Sequence, residues 1–249
     1  MRPFFFLVSL FSLIFFSTLS PKTYGKEWLD VRLALLANSQ RVFRGTVFYP
    51  HPSLFAGPFI TLFDRFSIRG PHLSWIRATE DGKHEFSLGG YPVIDGAPLI
   101  RLENDFDEEK DFRASRSDAF ELSFHYTYNF GPRRRFNMEW FAAKEVHRHR
   151  GIYAGFSFKA PLYRHLSLSL STAMGSKAHN RYIYGDRGRS GLAHQDLSLR
   201  YLIPNAPWGS LISLGAVHSR VLQEDNKTAE LVRGNHAHWA TSFMWLKSF

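Results

Sequence analysis

Apolar and polar residues alternate with a period of two along most of this chain. In residues 119–130, AFELSFHYTYNF, one face collects Phe120, Leu122, Phe124, Tyr126, Tyr128 and Phe130. The opposite face collects Glu121, Ser123, His125, Thr127 and Asn129. The same pattern sets Phe136, Met138 and Trp140 against Asn137 and Glu139, and Ile152, Phe156 and Phe158 against Ser157 and Lys159. It recurs with Leu166, Leu168 and Leu170 against Ser167, Ser169 and Ser171, and with Leu197, Leu199 and Tyr201 against Asp196, Ser198 and Arg200. No stretch sustains the i, i+3, i+4, i+7 spacing of an amphipathic helix, so the expected fold class is all-β.

A soluble sandwich also alternates, so strand and loop lengths have to decide. The candidate strands run to about 10–13 residues, near the ~9–11 of a tilted membrane strand and longer than the ~5–6 common in globular proteins. Connections alternate between short proline-containing turns (131–134, 160–164, 204–209) and long polar loops (92–118, 177–192, 221–235). That asymmetry marks an outer-membrane barrel, with short turns in the periplasm and long loops outside. The expectation is a transmembrane antiparallel up-and-down β-barrel. Its candidate strands are 28–38, 53–62, 66–77, 83–91, 119–130, 135–146, 151–160, 165–176, 194–203, 208–220 and 237–249. With both ends in the periplasm the number must be even. A further wall strand at 42–49, followed by a turn at 50–52, makes twelve; ten is the alternative.

The ends of the chain fit this reading. Arg2 followed by the apolar run Phe4–Phe16 and small polar residues predicts a secretory signal peptide over 1–25, leaving a barrel domain over 26–249. At the other end, Phe243, Trp245 and Phe249 share one parity and form the aromatic C-terminal signal that the barrel assembly machinery reads in such proteins. Lys247, on the same face, is expected to snorkel from the rim.

Composition narrows the chemistry. Aromatics reach 16%, which supplies interfacial girdles. Mean hydropathy of −0.24 is too polar for a bundle of membrane helices. The absence of cysteine excludes disulfides, thiol nucleophiles and thiolate metal sites. The formal charge of +9 loses two units with the signal peptide (Arg2, Lys22), and an exported basic protein points to outer-membrane lipid and lipopolysaccharide rather than nucleic acid. Inward-facing Glu121, His125, Glu139, Lys159, Asp196 and Arg200 are expected to line the lumen.

Individual motifs add little chemistry. The acidic stretch 101–118 lacks EF-hand spacing and reads as a solvated external loop. His147 and His149 in HRHR (147–150) have metal-ligand types but no third ligand close in sequence, so a solvated turn is preferred. HAH (236–238) is read the same way, and RRR (133–135) is expected to meet headgroups or solvent. Ser123, His125 and Glu121 lie on one face of one strand at steps of about 7 Å, too far apart for a hydrogen-bonded relay. No catalytic, cofactor or metal site is expected.

The stretch 191–222, GLAHQDLSLRYLIPNAPWGSLISLGAVHSRVL, with the terminal Phe249 and the segment 48–70, resembles the MltA-interacting protein/OmpV family of outer-membrane proteins. The resemblance implies an outer-membrane barrel that is non-enzymatic and acts as a scaffold for a periplasmic murein hydrolase and synthase. A narrow channel and a lipid-modifying barrel enzyme are the alternatives.

Overall fold

A computed structural model describes residues 28–49, 52–63, 65–69, 71–93, 100–101, 119–232 and 235–249. The signal-peptide expectation and the acidic stretch 102–118 lie outside the described residues. Fifteen strands are present among them: β1 (Leu29–Asn38), β2 (Arg41–Phe43), β3 (Thr46–Tyr49), β4 (Ser53–Leu62), β5 (Phe66–Arg69), β6 (His72–Ala78), β7 (His84–Val93), β8 (Ile100–Arg101), β9 (Ala119–Phe130), β10 (Phe136–Glu145), β11 (Ile152–Tyr163), β12 (Leu166–Gly175), β13 (Gly191–Ala206), β14 (Ser210–Val221) and β15 (Ala237–Ser248). Two helices lie in the long loops, α1 (Lys177–Tyr184) and α2 (Glu224–Lys227).

Twelve of the strands close into an antiparallel barrel. β1 pairs with β15 on one side and β4 on the other, and the ring continues through β5, β6, β7, β9 and on to β14. Closure gives every wall strand two partners, which is what a sheet surrounded by hydrocarbon requires.

Opposed residues of an antiparallel pair share a face, so the register shows which residues point in. On β9, Phe120, Leu122 and Phe124 are exposed on the outer wall, whereas Glu121 and Ser123 are buried inside. Exposed Leu170, Leu197, Leu199 and Phe243 continue the outer face on β12, β13 and β15. Aromatic contacts stitch it laterally, with Phe86–Tyr126 at 5.1 Å, Tyr126–Trp140 at 5.4 Å and Trp140–Phe156 at 5.6 Å between ring centroids. The apolar face is turned outward around a polar interior, the reverse of a sandwich. The chain is a transmembrane β-barrel of the outer-membrane type.

The strand count matches the expectation through two compensating errors. Residues 42–49 are not a wall strand: β2 and β3 pair only with each other, as a hairpin carried inside the long-loop end. Arg44 and Gly45 form its tip with φ of 52° and 84°, the left-handed pair that a tight hairpin turn demands. A side chain at Gly45 would stand 2.7 Å from His194 Cβ, so only glycine lets the tip sit against the wall. Residues 66–77, in turn, are two strands rather than one. β5 and β6 pair with each other, and the sequence between them holds Gly70–Pro71, a turn-forming dipeptide between two alternating stretches.

The long polar loop over 177–192 carries a helix of its own. Ser176 caps α1 by accepting a hydrogen bond from the His179 N–H at 3.4 Å. His179 with Ile183 and Asn180 with Tyr184 then bury one face at i, i+4 spacing. Ile183 and Tyr184 pack with Phe48 of the hairpin, Val93, Val221 and Val232 into a small apolar core that fills the long-loop end of the lumen.

Candidate functional site

The tip of the inward hairpin delivers Arg44 to a buried position against the wall. Its guanidinium meets Glu121 of β9 in a two-pronged ion pair, Nη1–Oε1 at 2.7 Å and Nη2–Oε2 at 2.5 Å, with both side chains at most 4% exposed. Nη2 also donates to the Tyr91 hydroxyl of β7 at 2.8 Å, and that hydroxyl donates to Glu121 Oε2 at 2.6 Å. The guanidinium carbon stands 3.9 Å from the centroid of the Tyr153 ring and 4.6 Å from that of Phe43. The Tyr184 hydroxyl of α1 donates to the Arg44 carbonyl at 3.0 Å. Hairpin, helix and three wall strands thus converge on one cation.

Electrostatics favour that arrangement. Burial opposes the Arg44 charge, but the Glu121 hydrogen bonds and charge outweigh it and hold the guanidinium above its ordinary range. His179, whose ring nitrogens lie 3.4 and 3.5 Å from Arg44 Nη1, is driven well below the usual histidine range by burial and then by the Arg44 charge. His149 is lowered by burial against the pull of nearby carboxylates. Both imidazoles are therefore neutral near pH 7.

One donor atom from each of Glu121, His149 and His179 lies within 4.8 Å of the other two, a metal-type set assembled from a strand, a loop and a helix. Here the Arg44 guanidinium supplies the positive charge, binding both oxygens of the carboxylate and standing beside His179. The residues form the shell of an internal cation. Sequence spacing hides the set because its members come from positions 121, 149 and 179.

A second network continues from the same ring. The Tyr153 hydroxyl lies 2.7 Å from His194 Nε2, and His194 Nδ1 lies 3.1 Å from Asp196 Oδ1, which also accepts from Ser219 Oγ. A carboxylate at Nδ1 places the imidazole proton there, so Tyr153 donates to Nε2. A β-bulge at Ala193–His194 turns both residues into buried positions. The chain can hold a proton along Tyr153–His194–Asp196, and it braces the ring on which Arg44 rests.

HRHR is not simply a solvated turn. Glu145, buried at the end of β10, accepts backbone N–H groups from His147, Arg148, His149 and Arg150 at 2.7–2.8 Å and from Phe120 at 3.2 Å. The loop wraps this carboxylate, leaving Arg148 and Arg150 exposed while His149 turns inward to stack on Tyr182 at 4.4 Å. An acid directly before a tight basic turn was the available signal. In HAH, His238 faces the lumen and is buried, and His236 is exposed.

The remaining inward residues are distributed along the lumen. His125 Nδ1 bonds Glu139 Oε1 at 2.6 Å about halfway down. Glu121, Ser123 and His125 form no relay among the described residues: Glu121 holds Arg44, His125 holds Glu139, and the buried Ser123 hydroxyl has no partner there. Lys159 and Arg200 face the lumen in its short-turn half. Phe243 and Trp245 face outward on β15, and the Phe249 N–H closes onto the Val31 carbonyl at 3.2 Å. Lys247, at the short-turn rim, donates to the Trp208 carbonyl.

No protein-family model matches the chain, and no curated protein matches it. Two solved structures are similar to it in form. The COG4313 outer membrane channel from Pseudomonas putida F1 is 8% identical with a TM-score of 0.44, over 93% of this chain and 100% of that one. The outer membrane protein OprD from Pseudomonas aeruginosa is 11% identical with a TM-score of 0.34, over 91% of this chain and 66% of that one. The likeness to the MltA-interacting protein/OmpV family rests on the residues quoted above.

Proposed function

We propose that the protein is an outer-membrane channel whose external mouth is held shut by its own hairpin and loop helices. The observation that carries this reading is the contrast between the two halves of the lumen. The long-loop half is filled by β2–β3, α1 and a small apolar core, pinned through Arg44 to Glu121. Below it, adjacent strands turn small residues inward: Ser157 on β11, Ser167 and Ser169 on β12, Ser198 on β13, and Ser213 and Gly215 on β14. These four neighbouring strands carry little side-chain bulk, so that arc of the wall does not fill the lumen beside it. The obstruction is separable from the cylinder, as a gate requires.

The test is conductance in planar bilayers. The intact chain is expected to be closed for most of the record. A variant with residues 41–49 replaced by a flexible Gly-Ser link is expected to give a steady ohmic pore. A correctly folded, heat-modifiable barrel that stays silent after this replacement overturns the reading.

A scaffold for murein enzymes is the second reading, suggested by the family resemblance and by the short-turn rim. Trp208, at 79% exposure and φ 62°, projects from one turn there, and Arg134 and Arg135 stand on another. In-cell crosslinking from position 208 checks it; adducts with lipid alone and no periplasmic protein count against it.

A further inference from the structure

We propose that Lys159 and Arg200 form a binding site in the lower lumen for a small organic carboxylate. This names the solute class of the channel reading and rests on it for the word solute. The two cations lie on β11 and β13 with β12 between them. Lys159 is opposite Ser169, Arg200 is opposite Ser167, and Ser169 is opposite Ser198, with which it shares a hydrogen bond at 2.6 Å. Strand spacing and rise put the two Cα atoms about 12 Å apart, within the combined reach of two long basic side chains. Every residue directly between them is a serine, so nothing of comparable length separates the two heads. Like charges placed this way repel unless an anion joins them.

Among the described residues, neither cation has a counter-ion. The lumen carboxylates are engaged elsewhere or stand across the barrel. Glu139 is bonded to His125, Asp196 to His194 and Ser219, and Asp30 to Arg32 at 2.6 Å, while Glu85 lies on distant β7. The hairpin, with its own cation satisfied by Glu121, occupies the opposite half of the lumen. The pair is therefore open to a solute approaching from the short-turn end.

A second observation specifies the body of that solute. Starting two residues beyond Arg200, apolar side chains face inward on four strands, Leu202 on β13, Met244 and Leu246 on β15, Leu36 on β1, and Phe55 and Phe59 on β4, with Ser213 and Arg32 among them. None of these six belongs to the apolar core that fills the mouth. Small Gly215 and Ser213 on β14 lie between Arg200 and Met244 and leave a trough there. An anionic head on Lys159 and Arg200 with an apolar body against Leu202 and Met244 satisfies both surfaces. A bare inorganic anion satisfies only one.

Methionine positions provide the assay. Met244 faces the lumen, whereas Met138 and Met174 face outward. With the intact chain folded in detergent and its methionine methyls labelled for NMR, benzoate is expected to move the Met244 resonance saturably. Met138 and Met174 should stay still, since they report only partition into the micelle. Lys159→Gln and Arg200→Gln should each weaken the titration about tenfold, the effect of losing one of two screened charges, and Lys159→Arg should retain it. Benzyl alcohol, the neutral counterpart, should move Met244 far less. A Met244 signal that ignores benzoate, responds equally to the alcohol, or titrates alike in the glutamine variants overturns the site. Saturable benzoate binding in a barrel that never conducts would instead reject the channel and leave the site standing; conduction without benzoate binding would do the reverse.

Discussion

Replacing Glu121 with glutamine tests the latch most directly. The substitution preserves size and one acceptor but removes the charge facing a guanidinium only 4% exposed. Breaking a buried pair from one side costs about 3–5 kcal/mol. Part of that is retained, because the Tyr91 hydroxyl at 2.8 Å and the Tyr153 ring at 3.9 Å still hold the cation, contributions of about 1–2 kcal/mol together. The net penalty on the seated hairpin is thus about 2–3 kcal/mol, or roughly a 30- to 150-fold shift toward the unseated state. The wall keeps its ladder bonds, so thermal unfolding of the barrel should barely change. Two assays read the effect: amide hydrogen exchange at Val42, Thr46 and Val47, and single-channel open probability. Both should rise by one to two decades. The double variant Arg44→Met/Glu121→Leu should recover much of the closure, because an apolar pair leaves no stranded charge. Unchanged hairpin exchange in Glu121→Gln, or a double variant as loose as the sum of its parts, would refute the electrostatic account.

Acidification should loosen the same plug. His179 titrates well below the ordinary value of 6.5 in the folded state, so below pH 6.5 the unseated chain takes up a proton that the seated one refuses. Stability of the seated plug is then complete above about pH 6.5 and falls by up to about 1.4 kcal/mol per pH unit beneath it, until the folded-state pKa is reached. His149 adds in the same direction, and hairpin exchange in His179→Asn between pH 7.5 and 5 should show a shallower slope. Gly45→Ala should unseat the hairpin by about 1–3 kcal/mol, since it combines φ of 84° with a contact 2.7 Å from His194 Cβ; hydrogen exchange reads it. Leu170→Arg, on the outer face, should cost about 2–4 kcal/mol of barrel stability in lipid vesicles, while inward Ser171→Arg should be far milder. Equal costs at 170 and 171 would reverse the assignment of inside and outside.

The wall was legible because a membrane barrel imposes one rule on every strand. Outward Leu170 and Phe124 and inward Ser171 and Glu121 each carry the mark of their solvent. The interior obeys no such repeat. Residues 42–49 alternate as a wall strand does, yet their apolar side packs on Ile183 and Tyr184 rather than on lipid, a distinction that only the tertiary fold makes. The Arg44–Glu121 pair is separated by 77 positions and the His179 contact by 135, so no local spacing announces either. Gly70–Pro71 was different: its turn chemistry was present in the sequence, between two alternating stretches that read together as one strand.

The short tether between the first wall strand and the hairpin bears on how the cylinder is made. Ser39 and Gln40 are stitched to the last strand: the Ser39 N–H donates to the Thr241 carbonyl, the Thr241 N–H donates to Ser39 Oγ, and the Gln40 amide donates to the Trp239 carbonyl. The seam that joins the two termini of the sheet is thus sewn through the root of the stopper. Closing that seam therefore also fixes where the stopper hangs, whatever position its tip takes in the bore.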